Sequence, residues 1–236
     1  MKKKLDILRR KTANDKPYHQ VIEYETADDN ATIATALLDI NNRSDIKDIN
    51  GNNVEKIIYQ HSCLQRKCGA CAMVINNHPA LACDSFLKDY KTDTITIEPL
   101  RKFPVVADLM VDRSILFKNL DVIGEFLNSQ ADISDKNYEN AYEASRCLQC
   151  GLCLEVCPNF YEGAKFSGTA SFVPTARLLN ITDSRDFKRL KKAYISHIYE
   201  GCGKSLACHD ICPAKIPIEK LLTSTNAMTI WKRRRK

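Results

Sequence analysis

Short runs of alternating apolar and polar positions dominate the first hundred residues of the chain. Val21, Ile22 and Tyr24 make Tyr18–Glu25 a strand candidate. Across Ala31–Ile40 the period lengthens, with Ile33, Leu37 and Ile40 at helical spacing and Asp28, Asp29 and Asn30 as candidate N-caps. An Asn50-Gly51 turn, the strand-like Lys56–Tyr59, Ala72–Ile75 turning at Asn76-Asn77, and Thr94–Ile97 complete a small mixed sheet. The pattern predicts an α+β unit with one helix. Further along, the period is helical throughout. Ser114–Asn128 carries Ile115, Leu116, Leu120, Ile123 and Leu127 on one stripe. Asn137–Arg146 follows, then Asp186–Tyr199 with Phe187, Leu190, Tyr194 and Ile198, and Ile218–Trp231 starting behind Pro217. These stripes are read as packing faces.

At 236 residues the chain exceeds one typical domain and predicts two, each with its own core. The formal net charge of +6 is gathered partly at the ends, in Met1–Lys4 and in Trp231–Lys236. Both runs read as solvated tails, the second with a membrane surface or juxtamembrane partner as its alternative. Arg9-Arg10 is read as surface charge, since no apolar stretch of a twin-arginine signal follows. Nucleic acid is not expected as a partner, because no basic stripe with interleaved aromatics appears. No apolar run approaches the roughly 18 residues of a membrane span, so the expectation is a soluble or peripheral chain whose anchor is another subunit.

Eleven cysteines change the picture most. Their number is odd, no signal peptide is seen, and they fall in C-x2-C clusters, which in an intracellular chain favours metal over disulfides. Cys147, Cys150, Cys153 and Cys157, followed by Pro158, have the C-x2-C-x2-C-x3-C-P spacing of a bacterial-type ferredoxin. Cys202, Ser205, Cys208, Cys212 and Pro213 repeat that register with one hydroxyl in place of a thiol. In such motifs the last cysteine serves the other cluster. Cys147, Cys150, Cys153 and Cys212 are therefore a full set for a [4Fe-4S] cluster. Cys157, Cys202 and Cys208 make three, from which a [3Fe-4S] cluster is inferred, ligation through the Ser205 oxygen being the alternative.

Upstream, Cys63, Cys68, Cys71 and Cys83 follow the C-x4-C-x2-C…C arrangement of plant-type [2Fe-2S] ferredoxins, with Gly69 letting the backbone approach the sulfides. Structural zinc, in a zinc-stapled interaction module, is the alternative, although zinc sites usually pair two C-x2-C knuckles. The three sets use all eleven cysteines. His19, His61, His78, His197 and His209 form no catalytic pattern, and neither a G-x-G-x-x-G run nor a P-loop is present, so no catalytic residue is assigned. His61 and His209 lie beside cysteines and are candidates for tuning them, or simply partly exposed polar residues.

A plant-type domain followed by a bacterial-type domain lacking one cysteine resembles the iron-sulfur subunit of the succinate dehydrogenase and fumarate reductase family. The segment Glu98–Asp112 is similar to the family's interdomain linker, and its two prolines suit a boundary near residue 105, giving domains 1–105 and 106–236. The resemblance implies a β-grasp N-terminal fold and a mostly α-helical C-terminal domain. It also implies two partners: a flavoprotein with covalently attached FAD that interconverts succinate and fumarate, and a membrane anchor, of cytochrome b type, that exchanges electrons with quinone. Electrons would pass between FAD, [2Fe-2S], [4Fe-4S] and [3Fe-4S] in that order, on the cytoplasmic, inner face of the cell membrane. Ubiquinone-reactive relatives carry a Trp and a His where this chain has Glu162 and Gly203, and Leu206–Pro213 looks closer to menaquinone-type fumarate reductases. The alternative is a soluble thiol- or methylmenaquinol-linked fumarate reductase.

Overall fold

The computed structural model describes residues 1–131, 135–182 and 184–231, apart from the side chains of 135–137 and 184. It divides into two compact units, Met1–Arg113 and Ser114–Lys236.

The first unit is a five-stranded mixed sheet beside one long helix. Its strands are β1 (Lys2–Arg9), β2 (Tyr18–Glu25), β3 (Ala72–Ile75), β4 (His78–Leu81) and β5 (Thr94–Glu98), in the order β2-β1-β5-β3-β4. The β1–β5 pair is parallel and the others are antiparallel, the β-grasp arrangement expected of this unit. Leu5 and Ile7 of β1, Ile22 and Tyr24 of β2, and Ile95 and Ile97 of β5 fill the core on the alternate positions that face it. Ile33, Leu37 and Ile40 of α1 (Ile33–Asn42) are buried as well. A small pair, β6 (Val105–Ala107) and β7 (Met110–Val111), closes the unit.

Two readings of the amino-terminal charges are corrected. Met1–Lys4 is not a loose tail, because β1 begins at Lys2 and pairs along its whole length with β2. Arg9 is not surface charge either: it falls on the core-facing parity of β1, is 3% exposed, and pairs with buried Asp108 at 3.0 Å. The Lys56–Tyr59 segment belongs to no strand. Ile57 and Tyr59 are buried and Ile58 is exposed, so the alternation reported burial and not ladder pairing. Side chains satisfy its backbone: Asn41 exchanges two hydrogen bonds with Ile57, Asp108 accepts from Ile58 N, and Arg9 donates to the Glu55 and Lys56 carbonyls. The N-cap of α1 is Thr32, in a reciprocal capping box with Thr35, whereas Asp28 is spent on a turn through Asn30 N.

Helices make up the second unit: α2 (Ser114–Ile123), α3 (Asp135–Ser145), α4 (Leu152–Glu155), α5 (Thr169–Ile181), α6 (Ser184–Tyr194), α7 (Ala207–Asp210) and α8 (Ile218–Thr229). Its core gathers Phe172, Val173, Ala176 and Leu179 of α5 with Leu190, Tyr194, Ile198, Ile218 and Leu221. The first helix stops five residues before its expected end, at Gly124 with φ +72°, and Arg189 donates to the Gly124 and Phe126 carbonyls just beyond it. Beyond α6 the chain runs on as a π-helical turn, Ile195–Tyr199. The periodicity did not announce α5, because it is buried nearly all round and carries Pro174 in its interior. Of the Trp231–Lys236 run, Trp231 is exposed and 232–236 lie outside the described residues. Among the described residues no helix is long and apolar enough to cross a membrane.

Candidate metal centres

In the first unit Cys63, Cys68 and Cys71 lie on one loop, with Cys83 in a short 3-10 turn after β4. The loop takes left-handed backbone at Leu64, Arg66 and Gly69, with φ of +54°, +57° and +71°. That winding turns amides towards sulfur. Gln65 N and Lys67 N donate to Cys63 Sγ at 3.4 and 3.3 Å, Arg66 N to Cys83 Sγ at 3.2 Å, Ala70 N to Cys68 Sγ at 3.5 Å, and Cys83 N to Cys71 Sγ at 3.4 Å. The amides of Gln65 and Lys67 bring the Cys63 thiol down to about 7, whereas burial pushes Cys71 up to about 12. A buried thiol of that kind becomes a thiolate when a metal cation supplies the missing charge, so this donor set fits a metal group. Arg113 braces the loop from outside, donating to the Gly69, Ala70 and Ala72 carbonyls at 2.9, 2.8 and 3.2 Å. His61 stacks on Tyr59 with ring centroids 4.5 Å apart.

The second unit repeats one local geometry twice. After Cys150, Gly151 (φ +85°) starts α4, which carries Cys153; after Ser205, Leu206 (φ +60°) starts α7, which carries Cys208. Equivalent backbone bonds then place the last cysteine of each motif, Cys157 N donating to Leu154 O and Cys212 N to His209 O. The two last cysteines cross over. Cys212 lines one cavity with Cys147, Cys150 and Cys153, walled by Ala170, Val173, Ile216 and Ile218. Cys208 has Cys202 and Cys157 as neighbours, lies near Cys153 as well, and accepts a hydrogen bond from the Thr169 side chain. Burial raises the Cys153 thiol well above its usual value, and Cys147 and Cys208 are raised for the same reason. No three His, Cys, Asp or Glu side chains among the described residues converge as on one metal ion.

Residues 4–118 match the family described as 2Fe-2S iron-sulfur cluster binding domain, and residues 143–216 the 4Fe-4S dicluster domain. The succinate dehydrogenase iron-sulfur subunit of Bacillus subtilis is 32% identical over 234 residues, 94% of this chain and 90% of its own length. This chain belongs to the succinate dehydrogenase and fumarate reductase iron-sulfur subunit family. The fumarate reductase iron-sulfur subunit of Escherichia coli is 31% identical, covering 71% of this chain and 72% of that protein. A solved chain of the Mycobacterium smegmatis Sdh1 complex in the apo form shares the fold, with a TM-score of 0.75 at 20% identity over 96% of both chains.

For an iron-sulfur subunit, several residues that matter to the geometry carried no signal in the cysteine pattern. Arg113 sits 42 residues beyond Cys71 in sequence yet braces its loop. Gln149 sits inside the first motif, and its side chain donates to Cys147 Sγ at 3.3 Å. Thr169 comes from a helix with no cysteine of its own. His209, by contrast, was visible in the sequence beside Cys208, and its Nδ1 is buried without a hydrogen-bond partner among the described residues.

Proposed function

We propose that this iron-sulfur subunit relays electrons between the FAD of a flavoprotein subunit and quinone, by preference menaquinone, at a cytochrome b type membrane anchor. Cys63, Cys68, Cys71 and Cys83 hold [2Fe-2S]; Cys147, Cys150, Cys153 and Cys212 hold [4Fe-4S]; Cys157, Cys202 and Cys208 hold [3Fe-4S]. The observation that carries the reading is the exchange of last cysteines, with Cys212 in the cavity of the first motif and Cys157 beside Cys202 and Cys208. When bound, the clusters supply one-electron transfer. The protein does the rest. Backbone amides of Gln65, Arg66, Lys67, Ala70 and Cys83 direct hydrogen bonds at the first four sulfurs, and Val173, Ile216 and Ile218 help keep water from the second set.

The preference for menaquinone rests on Glu162 and Gly203. A side chain at Gly203 would put its Cβ 3.0 Å from Asn159 Nδ2, which donates to Gly201 O, so that spot is already used by the chain's own backbone brace. The membrane-spanning part is assigned to the anchor, which puts this chain peripherally on the inner face. The relatives named are succinate dehydrogenase and fumarate reductase subunits, which does not favour the soluble thiol- or methylmenaquinol-linked alternative.

In the purified complex, Cys71→Ala is expected to abolish the reduced [2Fe-2S] EPR signal and electron transfer from flavin to quinone. If the variant kept both the signal and full quinone-linked activity, the ligand assignment and the relay would fall together.

A further inference from the structure

A proline in the interior of a helix leaves the carbonyl four residues earlier without its N–H partner. In α5 that proline is Pro174 and the orphaned carbonyl is Ala170 O. Ala170 lines the same cavity as Cys147, Cys150, Cys153 and Cys212. The vacancy is filled from the cysteine loop, where Gln149 Nε2 donates to Ala170 O at 2.9 Å. The same amide nitrogen lies 3.3 Å from Cys147 Sγ. A carboxamide nitrogen carries two hydrogens, so one is spent on the helix and the other is aimed at sulfur. Gln149 has φ +50°, a left-handed turn that this side chain helps to hold between Cys147 and Cys150.

We propose that Gln149 is a positioning residue for the [4Fe-4S] site: anchored on the carbonyl that Pro174 leaves free, its amide donates to Cys147 Sγ and raises the reduction potential there. The inference rests on the ligand set proposed above. Reduction adds negative charge, and a donor aimed at a thiolate favours the more negative form. The apolar wall of Val173, Ile216 and Ile218 strengthens that hydrogen bond by keeping the local dielectric low. Pro174 acts at one remove. With an N–H at position 174, the helix would reclaim Ala170 O and compete with Gln149 for it.

The test is potentiometric EPR of the intact, cluster-loaded complex. Gln149→Leu keeps the bulk and removes both donors. Its [4Fe-4S] midpoint is expected to move negative, the equilibrium constant for reduction falling about tenfold, or about 59 mV for one electron. The [2Fe-2S] and [3Fe-4S] midpoints should stay where they are. Pro174→Ala should move the same midpoint in the same direction by less, with Gln149 still in place. An unchanged midpoint in Gln149→Leu overturns the proposal. If Gln149→Leu fails to retain the cluster, Pro174→Ala decides: a negative shift upholds it, and an unchanged midpoint or loss of the cluster there as well leaves Gln149 as a brace of the fold and overturns it. A wild-type complex without a [4Fe-4S] signal would instead overturn the ligand set, whatever Gln149 does.

Discussion

Glu125 follows the turn that ends α2, half-buried, and its Oε1 meets the Thr175 hydroxyl while Oε2 is buried without a partner among the described residues. Thr175 Oγ1 also lies 2.7 Å from Ser171 O. The hydroxyl has one hydrogen for two oxygens, so a protonated Glu125 satisfies both contacts and a carboxylate does not. Burial accordingly pushes this acid from its ordinary 4.5 up to about 7, against the opposing effects of Thr175 and Arg189. Between those two values the folded chain keeps a proton that the unfolded chain has released. Stability contributed here is full below the lower value and is lost as pH rises through the upper one, by about 3 kcal/mol at most. Glu125→Gln should flatten that slope, read as the urea midpoint of the helical signal at pH 5.5 and 7.5. Equal slopes in variant and wild type would show that Glu125 ionises normally. Nothing in the sequence singled out this residue, because its partners Thr175 and Arg189 are 50 and 64 positions away. The cysteines were legible for the opposite reason: each motif is local, and spacing alone carries it. What spacing does not carry is which groups point at the sulfurs. That depends on left-handed backbone at Leu64 and Arg66, residue types that rarely adopt it and so give no sign of it.

Among the elements, those with one wet face and one dry face were readable, and those without were not. β2 and α1 announce themselves by period, as do α2 and α8. Three lysines and an arginine pair hide β1, yet Leu5 and Ile7 alternate with polar neighbours there, and Arg9 continues the buried parity as a charge with a partner. Asp108 is that partner. It accepts from Arg9 Nε at 3.0 Å, Arg10 N at 2.9 Å and Ile58 N at 2.8 Å, tying the end of β1 to the strandless 55–58 segment and to the β6–β7 turn. Gln20 completes the arrangement by accepting from Arg9 Nη1 at 2.7 Å. Removing one member of such a buried pair leaves the other charge uncompensated, at a cost of about 3 to 5 kcal/mol. Asp108→Asn preserves shape and tolerates the left-handed φ of +43°, so it isolates the charge. The expected outcome is a fall in the urea midpoint of the first unit, with lost protection of the Ile58 and Leu109 amides in hydrogen exchange. A midpoint within error of wild type would mean that the hydrogen-bond geometry alone holds this corner.

For the molecule as a whole, the break in the internal repeat at Ser205 is the one cysteine position at which the two ferredoxin-type motifs differ. Two turns of the same build, Gly151 into α4 and Leu206 into α7, present cysteines in matching register, and only the second has a hydroxyl where the first has Cys150. Ser205 is exposed, so a thiol there meets no packing obstacle. Ser205→Cys restores the full spacing and supplies a fourth thiolate to Cys157, Cys202 and Cys208. Anaerobic iron counting should then rise from about nine per chain to about ten, with the oxidised three-iron EPR signal lost. Because the resemblance puts this site next to quinone, quinone-linked turnover should suffer in the variant. Succinate oxidation by an artificial acceptor that takes electrons earlier in the relay should be largely spared. Equal loss with both acceptors would place the altered site elsewhere in the order of carriers. A wild type that already holds ten irons, with no oxidised three-iron signal, would point to Ser205 Oγ or water as a fourth ligand and remove the asymmetry on which the prediction depends.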